Sequence, residues 1–233
     1  MLHSFMVSLD QHLLFLINQK WTNPVFDRIL ATLACLEFWT PLLTILCVWL
    51  IFKRGIRGLT FVVLCFLGVA GNEVLISSPL KTWTNKPRPH ESLENIRRVD
   101  LAPARPRLLA VTKPIAVSYS GQPPMKVDRG RSFPSSHTLN AVTLGLVSFF
   151  CFRAWAMLLL PFLMAWSRVY SGSHWPVDVL SSIVIGTIFT GLLLKTAEYI
   201  WLKHINRFKP NWTAQLPSLA FHSAPKVTQT PPP

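Results

Sequence analysis

Residues 167–178, SRVYSGSHWPVD, lie between two apolar runs at 154–166 and 179–202. This short segment carries Arg168, His174 and Asp178 directly against hydrocarbon-like sequence on both sides. An ionisable group at the edge of an apolar helix is expensive in lipid and is a functional candidate by default. Working outward, two further polar clusters interrupt the apolar sequence: Lys81-x6-Arg88-Pro89 and Pro134-Ser135-Ser136-His137. The clusters together supply three permanent cations, two imidazoles and one carboxylate. That inventory suits binding a phosphate and breaking its ester bond.

Half of the 233 residues are apolar and 14% are charged, which describes an integral membrane protein. The apolar runs are 29–52, 59–80, 138–152, 154–166 and 179–202. A helix rises about 1.5 Å per residue and needs roughly 20 residues to span hydrocarbon. The first, second and fifth runs reach that length unaided. The third and fourth fall short unless they recruit Ser136 and His137, or Ser167 and Arg168, which places those residues at the membrane boundary. Cys35, Cys47, Cys65 and Cys151 all sit inside apolar runs and read as small buried hydrophobes, without disulfide or metal-ligand spacing. The net charge of +13 is spread over loops with no nucleic-acid motif, so anionic lipid headgroups are the expected partner. Nothing in the sequence bears on oligomeric state.

The expected fold is all-α: a polytopic transmembrane bundle of five to six spans. Residues 2–18 read as an amphipathic helix lying at the interface, with a short, poor span as the other reading. Residues 1–209 form the membrane-embedded domain, and 210–233 read as a disordered proline-rich tail. Residues 90–133 are proline-rich with little periodicity, either a mobile tether or a basic lid over the site that gathers anionic headgroups. In a five-span chain the loops around 81–136 and 169–178 fall on one side, so the three clusters face one surface. The short basic loops with Lys53, Arg54, Arg57 and Arg153 read as cytoplasmic, leaving the site facing outward.

Pro176 suits the first turn of a helix, which puts Asp178 about one turn beyond His174. A carboxylate accepting from one ring nitrogen fixes the tautomer and leaves the other nitrogen as nucleophile or base. Taken alone, His-x3-Asp reads more readily as a helix-cap interaction beside a solvated histidine. Arg168 presents a fork that matches phosphate oxygens, although arginines at span ends also snorkel to headgroups. Lys81 adds a point charge, and Arg88 is held between prolines. Ser135 and Ser136 open a helix whose free N–H groups favour a bound anion. His137 is then placed to protonate a leaving oxygen. Each motif is weak singly, and their joint occurrence in this order is specific.

The pattern K-x6-R-P, P-S-G-H, S-R-x5-H-x3-D belongs to the type 2 phosphatidic acid phosphatase superfamily, which this sequence resembles over roughly residues 59–202. That family includes bacterial membrane lipid phosphate phosphatases and is related to vanadium haloperoxidases. The first and third parts match completely, and Ser136 stands in the usual glycine position of the second. The resemblance implies a metal-independent mechanism without cofactor. His174 would attack phosphorus to form a phosphohistidine, with Asp178 orienting it. Lys81, Arg88 and Arg168 would clamp the phosphate oxygens, helped by Ser135 and the backbone N–H of Ser136. His137 would protonate the leaving group and then activate water. The implied substrates are lipid phosphates or pyrophosphates: undecaprenyl pyrophosphate, phosphatidylglycerol phosphate, phosphatidic acid or the lipid A 1-phosphate. The implied location is a bacterial inner membrane, with the site facing the periplasm or exterior. Two other readings are a phosphotransferase passing phosphate to another lipid or sugar, and a non-enzymatic anion-binding membrane protein.

Overall fold

The computed structural model describes residues 2–121 and 130–205. The chain opens with α1 (Leu2–Phe15), which runs on through a wider π-helical turn to Lys20. Asn18 in that turn is fully buried and fastens the segment to distant chain. Its amide donates to the carbonyls of Arg97 (2.7 Å) and Tyr170 (2.8 Å), and its oxygen accepts from the Arg97 N–H at 2.9 Å. Helix α2 (Pro24–Ala34) starts at an Asn23 cap, whose side chain accepts from the Val25 N–H at 2.7 Å, with Pro24 in the first turn. Extended backbone at Cys35 (φ −86°, ψ 93°) separates it from α3 (Leu36–Arg54). The run expected as one span at 29–52 is therefore two helices. Hydropathy does not register the break because the sequence stays mostly apolar across it. The break is closed locally: the Cys35 N–H and the Trp39 indole N–H both donate to the Thr32 carbonyl.

Gly55, at φ +52°, turns the chain into α4 (Ile56–Gly71), which continues through a π-helical turn at Asn72–Ser77 into α5 (Ser78–Thr84). A single turn, α6 (Pro89–Ser92), follows Arg88. Beyond the loop region come α7 (Ser136–Phe152), α8 (Leu160–Tyr170) and α9 (Pro176–Ile200). Among the described residues three stretches are long and apolar enough to cross a membrane: Leu36–Arg54, Ile56–Ser92 and Pro176–His204. Ser136–Phe152 and Trp155–Tyr170 are shorter, the same division that run lengths predict. Helix α7 packs against α4, α8 and α9 and is the centre of the bundle. Polar contacts stitch it in place: Asn72 donates to Thr143 (3.0 Å) and Asn140 (3.1 Å), and the Thr143 and Thr190 hydroxyls are 3.0 Å apart. Such bonds between helices help hold them together where lipid removes the hydrophobic drive.

The loop region adds a two-stranded sheet, which the all-α expectation lacked, to a mostly helical chain. Strands β1 (Arg97–Leu101) and β2 (Ile115–Tyr119) pair antiparallel, with Arg97 opposite Tyr119 and Leu101 opposite Ile115. In β1, buried Arg97, Val99 and Leu101 alternate with exposed Arg98 and Asp100, the period of a strand with one covered face. That short alternation is hidden in sequence among prolines. The hairpin is anchored where Arg97 pairs with Asp27 at 2.5 Å, while the Tyr170 hydroxyl donates to the other Asp27 oxygen at 2.6 Å. Residues 122–129 of the expected lid and the expected 210–233 tail lie outside the described residues.

Candidate active site

Four pieces of chain meet where α7 and α9 begin: the segment around Lys86 and Arg88, Ser132, the first turn of α7, and the 171–175 loop. The loop's shape explains the spacing between Arg168 and His174. The Arg168 carbonyl at the end of α8 accepts from the N–H groups of Ser173 (3.1 Å) and His174 (3.2 Å), so the chain curls back over it. Gly172 makes that curl possible: it sits at φ +66°, and a Cβ there would lie 2.7 Å from the Arg97 carbonyl oxygen.

His174 is only 3% exposed. Its Nδ1 lies 2.6 Å from the Ser132 carbonyl oxygen. A carbonyl only accepts, so Nδ1 carries the proton and Nε2 keeps a free lone pair. Burial, and then the charges of Arg168 and Arg88, hold the ring well below the ordinary histidine range. A neutral imidazole with an unprotonated Nε2 is a nucleophile.

Asp178, in the first turn of α9, is fully buried. Its Oδ2 accepts from the Ser132 hydroxyl at 2.5 Å and from the Trp175 N–H at 3.3 Å, while Oδ1 accepts from Lys86 Nζ at 2.6 Å. Direct contact with His174, expected from the one-turn spacing, is replaced by a relay through Ser132. The carboxylate is drawn instead to its own helix start and to Lys86. The His174 ring reaches the Ser132 backbone, and Asp178 holds the side chain of the same residue.

At the start of α7, Ser135 caps the helix and is fully buried, its Oγ accepting from the Thr138 hydroxyl at 3.0 Å. Its oxygen accepts within the cap, which leaves its O–H, expected to help hold phosphate, to donate elsewhere. The Ser136 hydroxyl accepts from Lys81 Nζ at 2.5 Å and lies 2.6 Å from the Ser77 hydroxyl. Where glycine would leave this place empty, Ser136 ties Lys81 to α7. His137 is half-buried, with Arg168, Lys81 and Arg88 as its charged neighbours. Arg88 and Arg168 face the same ground, and both act on His137 and on His174. Arg168 Nε is buried and has no hydrogen-bond partner among the described residues, an arrangement that a bound anion would relieve. The structure therefore brings together His137, His174, Arg88 and Arg168, with Lys81 attached through Ser136.

Three participants escaped sequence reasoning. Ser132 works through its backbone carbonyl, which any residue possesses. Lys86 lies inside the six-residue gap of the first motif, where only the ends were counted. Asp10, on α1, accepts from the Val177 N–H at 2.8 Å and so steadies the start of α9. Among the described residues no group of three or more His, Cys, Asp or Glu side chains is placed to hold a metal ion.

A buried histidine under the charge of two arginines thus lies beside the first turns of two helices of an apolar bundle. Residues 61–202 match the family described as the PAP2 superfamily, and the chain belongs to it. YbjG of Escherichia coli (strain K12) is 42% identical over 74 residues, covering 30% of this chain and 35% of that protein. Undecaprenyl-diphosphatase BcrC of Bacillus subtilis (strain 168) is 34% identical over 71 residues, covering 30% of this chain and 37% of that protein. The matched region thus spans about a third of these relatives. The crystal structure of Aquifex aeolicus LpxE superposes with a TM-score of 0.57 at 26% identity, covering 80% of this chain and 95% of that one.

Proposed function

We propose that this protein is an integral membrane lipid phosphatase that forms a phosphohistidine on His174, with undecaprenyl pyrophosphate as its first-choice substrate. The observation that carries the reading is the His174 ring: buried, neutral, its Nδ1–H tied to Ser132 and its Nε2 lone pair free beside Arg88 and Arg168. In the first step the Nε2 lone pair forms the N–P bond while the bond from phosphorus to the leaving oxygen breaks. His137 gives that oxygen its proton. In the second step neutral His137 takes a proton from water, the water oxygen bonds to phosphorus, and the N–P bond breaks to release inorganic phosphate. Arg88 and Arg168 balance the charge on the transferring phosphoryl group, and Lys81 adds a cation one contact further back. The backbone N–H groups opening α7 face the same anion.

The substrate choice is supported by the likeness to the undecaprenyl-diphosphatase BcrC, which is 34% identical over its matched region. Phosphatidylglycerol phosphate, phosphatidic acid and the lipid A 1-phosphate are the other candidates. We place the site on the outer face of a bacterial inner membrane, reached by five crossings. The supporting pattern is that α3 ends in Lys53 and Arg54 and α7 ends against Arg153, at the opposite end of the bundle from His137 and Asp178. The test is phosphate release from the four lipids in detergent micelles containing EDTA, with wild type and His174→Ala side by side. Release from undecaprenyl pyrophosphate, lost in the variant, is the expected result. No release from any of the four by folded wild type overturns the reading.

A further inference from the structure

We propose that Lys86 is a positioning residue of this site: it holds the Asp178 carboxylate against Ser132 and, through Ser132, holds the ring of His174. The proposal rests on the reading of His174 as the nucleophile.

Asp178 is fully buried, and a buried carboxylate without a counter-charge is strongly destabilising. The counter-charge comes from Lys86 at 2.6 Å, not from the three motif cations. Lys86 also grips Ser132 directly, since its carbonyl accepts from the Ser132 N–H at 2.9 Å. Ser132 is thus held at its N–H by the Lys86 backbone and at its hydroxyl by the carboxylate that Lys86 pairs with. What remains is the Ser132 carbonyl, aimed at His174 Nδ1. The residues on either side of Lys86 reinforce the clasp. Asn85 accepts from the Gly130 N–H at 2.7 Å, and the Pro87 carbonyl accepts from the Trp175 indole N–H at 3.0 Å.

The charges around Lys86 point the same way. Both Lys86 and Asp178 act on the Asp10 carboxylate, which arrives from α1. Lys86 therefore offsets the repulsion between the two carboxylates, and it is in contact with Asp178. Its side chain is 33% exposed and lies over the Trp175 ring, 5.6 Å from the centroid, so its removal empties no core cavity.

The consequence falls on the reaction more than on binding. When Nε2 bonds to phosphorus the ring becomes cationic, and the Nδ1–H bond to Ser132 strengthens as that charge develops. A group acting through this bond contributes in the transition state and little in the ground state, so its loss lowers kcat and leaves KM.

The experiment measures kcat and KM for phosphate release from undecaprenyl pyrophosphate in detergent micelles. It compares wild type, Lys86→Met, Lys86→Gln, Lys86→Arg, Asp178→Asn and the Lys86→Met/Asp178→Asn double variant, each checked for folding by near-ultraviolet circular dichroism. Lys86→Gln is the second neutral variant and keeps a polar head, should Lys86→Met fail the folding check. Both neutral variants are expected to lose kcat by roughly 10- to 100-fold, the scale on which outer partners of a reacting group act, with KM within about twofold. Lys86→Arg restores most of kcat. In the Asp178→Asn background the Lys86 change costs nothing further, because the two side chains act through one another. The proposal is overturned if the Lys86 change costs the same factor in both backgrounds, or if it raises KM and leaves kcat. No phosphate release by folded wild type overturns the phosphatase reading itself and this inference with it. Equal losses in both backgrounds from an active wild type overturn this inference alone.

Discussion

Helix α7 has 17 residues and is buried along most of its length, whereas α3 has 19 and buries Leu50 alone. By length α3 is the better membrane span, yet it carries none of the site. Helix α7 is too short to span unaided, and it presents Ser136 and His137 at its first turn. In this pair the longer helix faces out of the bundle, while the shorter one, which bears His137, is enclosed by its neighbours. Close approach makes the enclosure possible: a Cβ on Gly186 of α9 would lie 3.2 Å from Val142 Cβ of α7. In lipid, where apolar side chains gain little by leaving the solvent, close packing of this kind supplies helix association.

The sharpest separation of the two helices is functional. His174→Ala removes the nucleophile and is expected to lower phosphate release by about a thousandfold or more, while Ile45→Ala on α3 leaves it unchanged. Phosphate release by the two variants in one micelle preparation reads this directly. Arg168→Met comes next, with an expected loss of roughly 100- to 1,000-fold in kcat from removing one preorganised donor. Stability gives the third contrast. Leu139→Ala empties a fully buried position on α7 and is expected to cost about 2–5 kcal/mol. Ile45→Ala, at 68% exposure, is expected to cost less than about 0.5 kcal/mol. Denaturation of both in the same detergent breaks the comparison if the two losses are equal.

The smallest effect concerns pH. Folded His174 resists protonation, whereas the unfolded ring takes a proton below about pH 6.5. The unfolded state then binds more protons than the folded one, so stability falls as pH drops below that value and is fully present above it. Thermal unfolding between pH 7 and pH 5 is expected to show this loss in wild type and a shallower one in His174→Gln. An equal slope in both would mean that the ring is not held neutral.

The three clusters, their placement at helix boundaries and their convergence were legible in sequence because each rests on side-chain identity. On the proposed reading Arg88, Arg168, His137 and His174 serve through their charge or their ring, and such needs leave a motif. The division between three long and two short apolar stretches was legible for a similar reason, since length is written in the chain. The break at Cys35 was not, because a backbone turn within mostly apolar sequence changes no hydropathy. The hairpin was hidden because β1 alternates over only five residues, flanked by prolines that read as loop. The Ser132 relay was least legible of all. A backbone carbonyl has no sequence signature, and the one-turn spacing of His174 and Asp178 suggested a direct contact that Lys86 and the helix start divert.

On the proposed mechanism His174 becomes covalently phosphorylated. The most direct measurement is rapid mixing of His137→Ala, and of wild type, with undecaprenyl pyrophosphate, followed by alkaline denaturation and mass spectrometry of the peptide carrying His174. A phosphate on the His174 ring, longer-lived in His137→Ala because its hydrolysis is slowed, is the predicted result. Product formation with no phosphorylated residue at any time, or with the phosphate on a different side chain, would contradict the account.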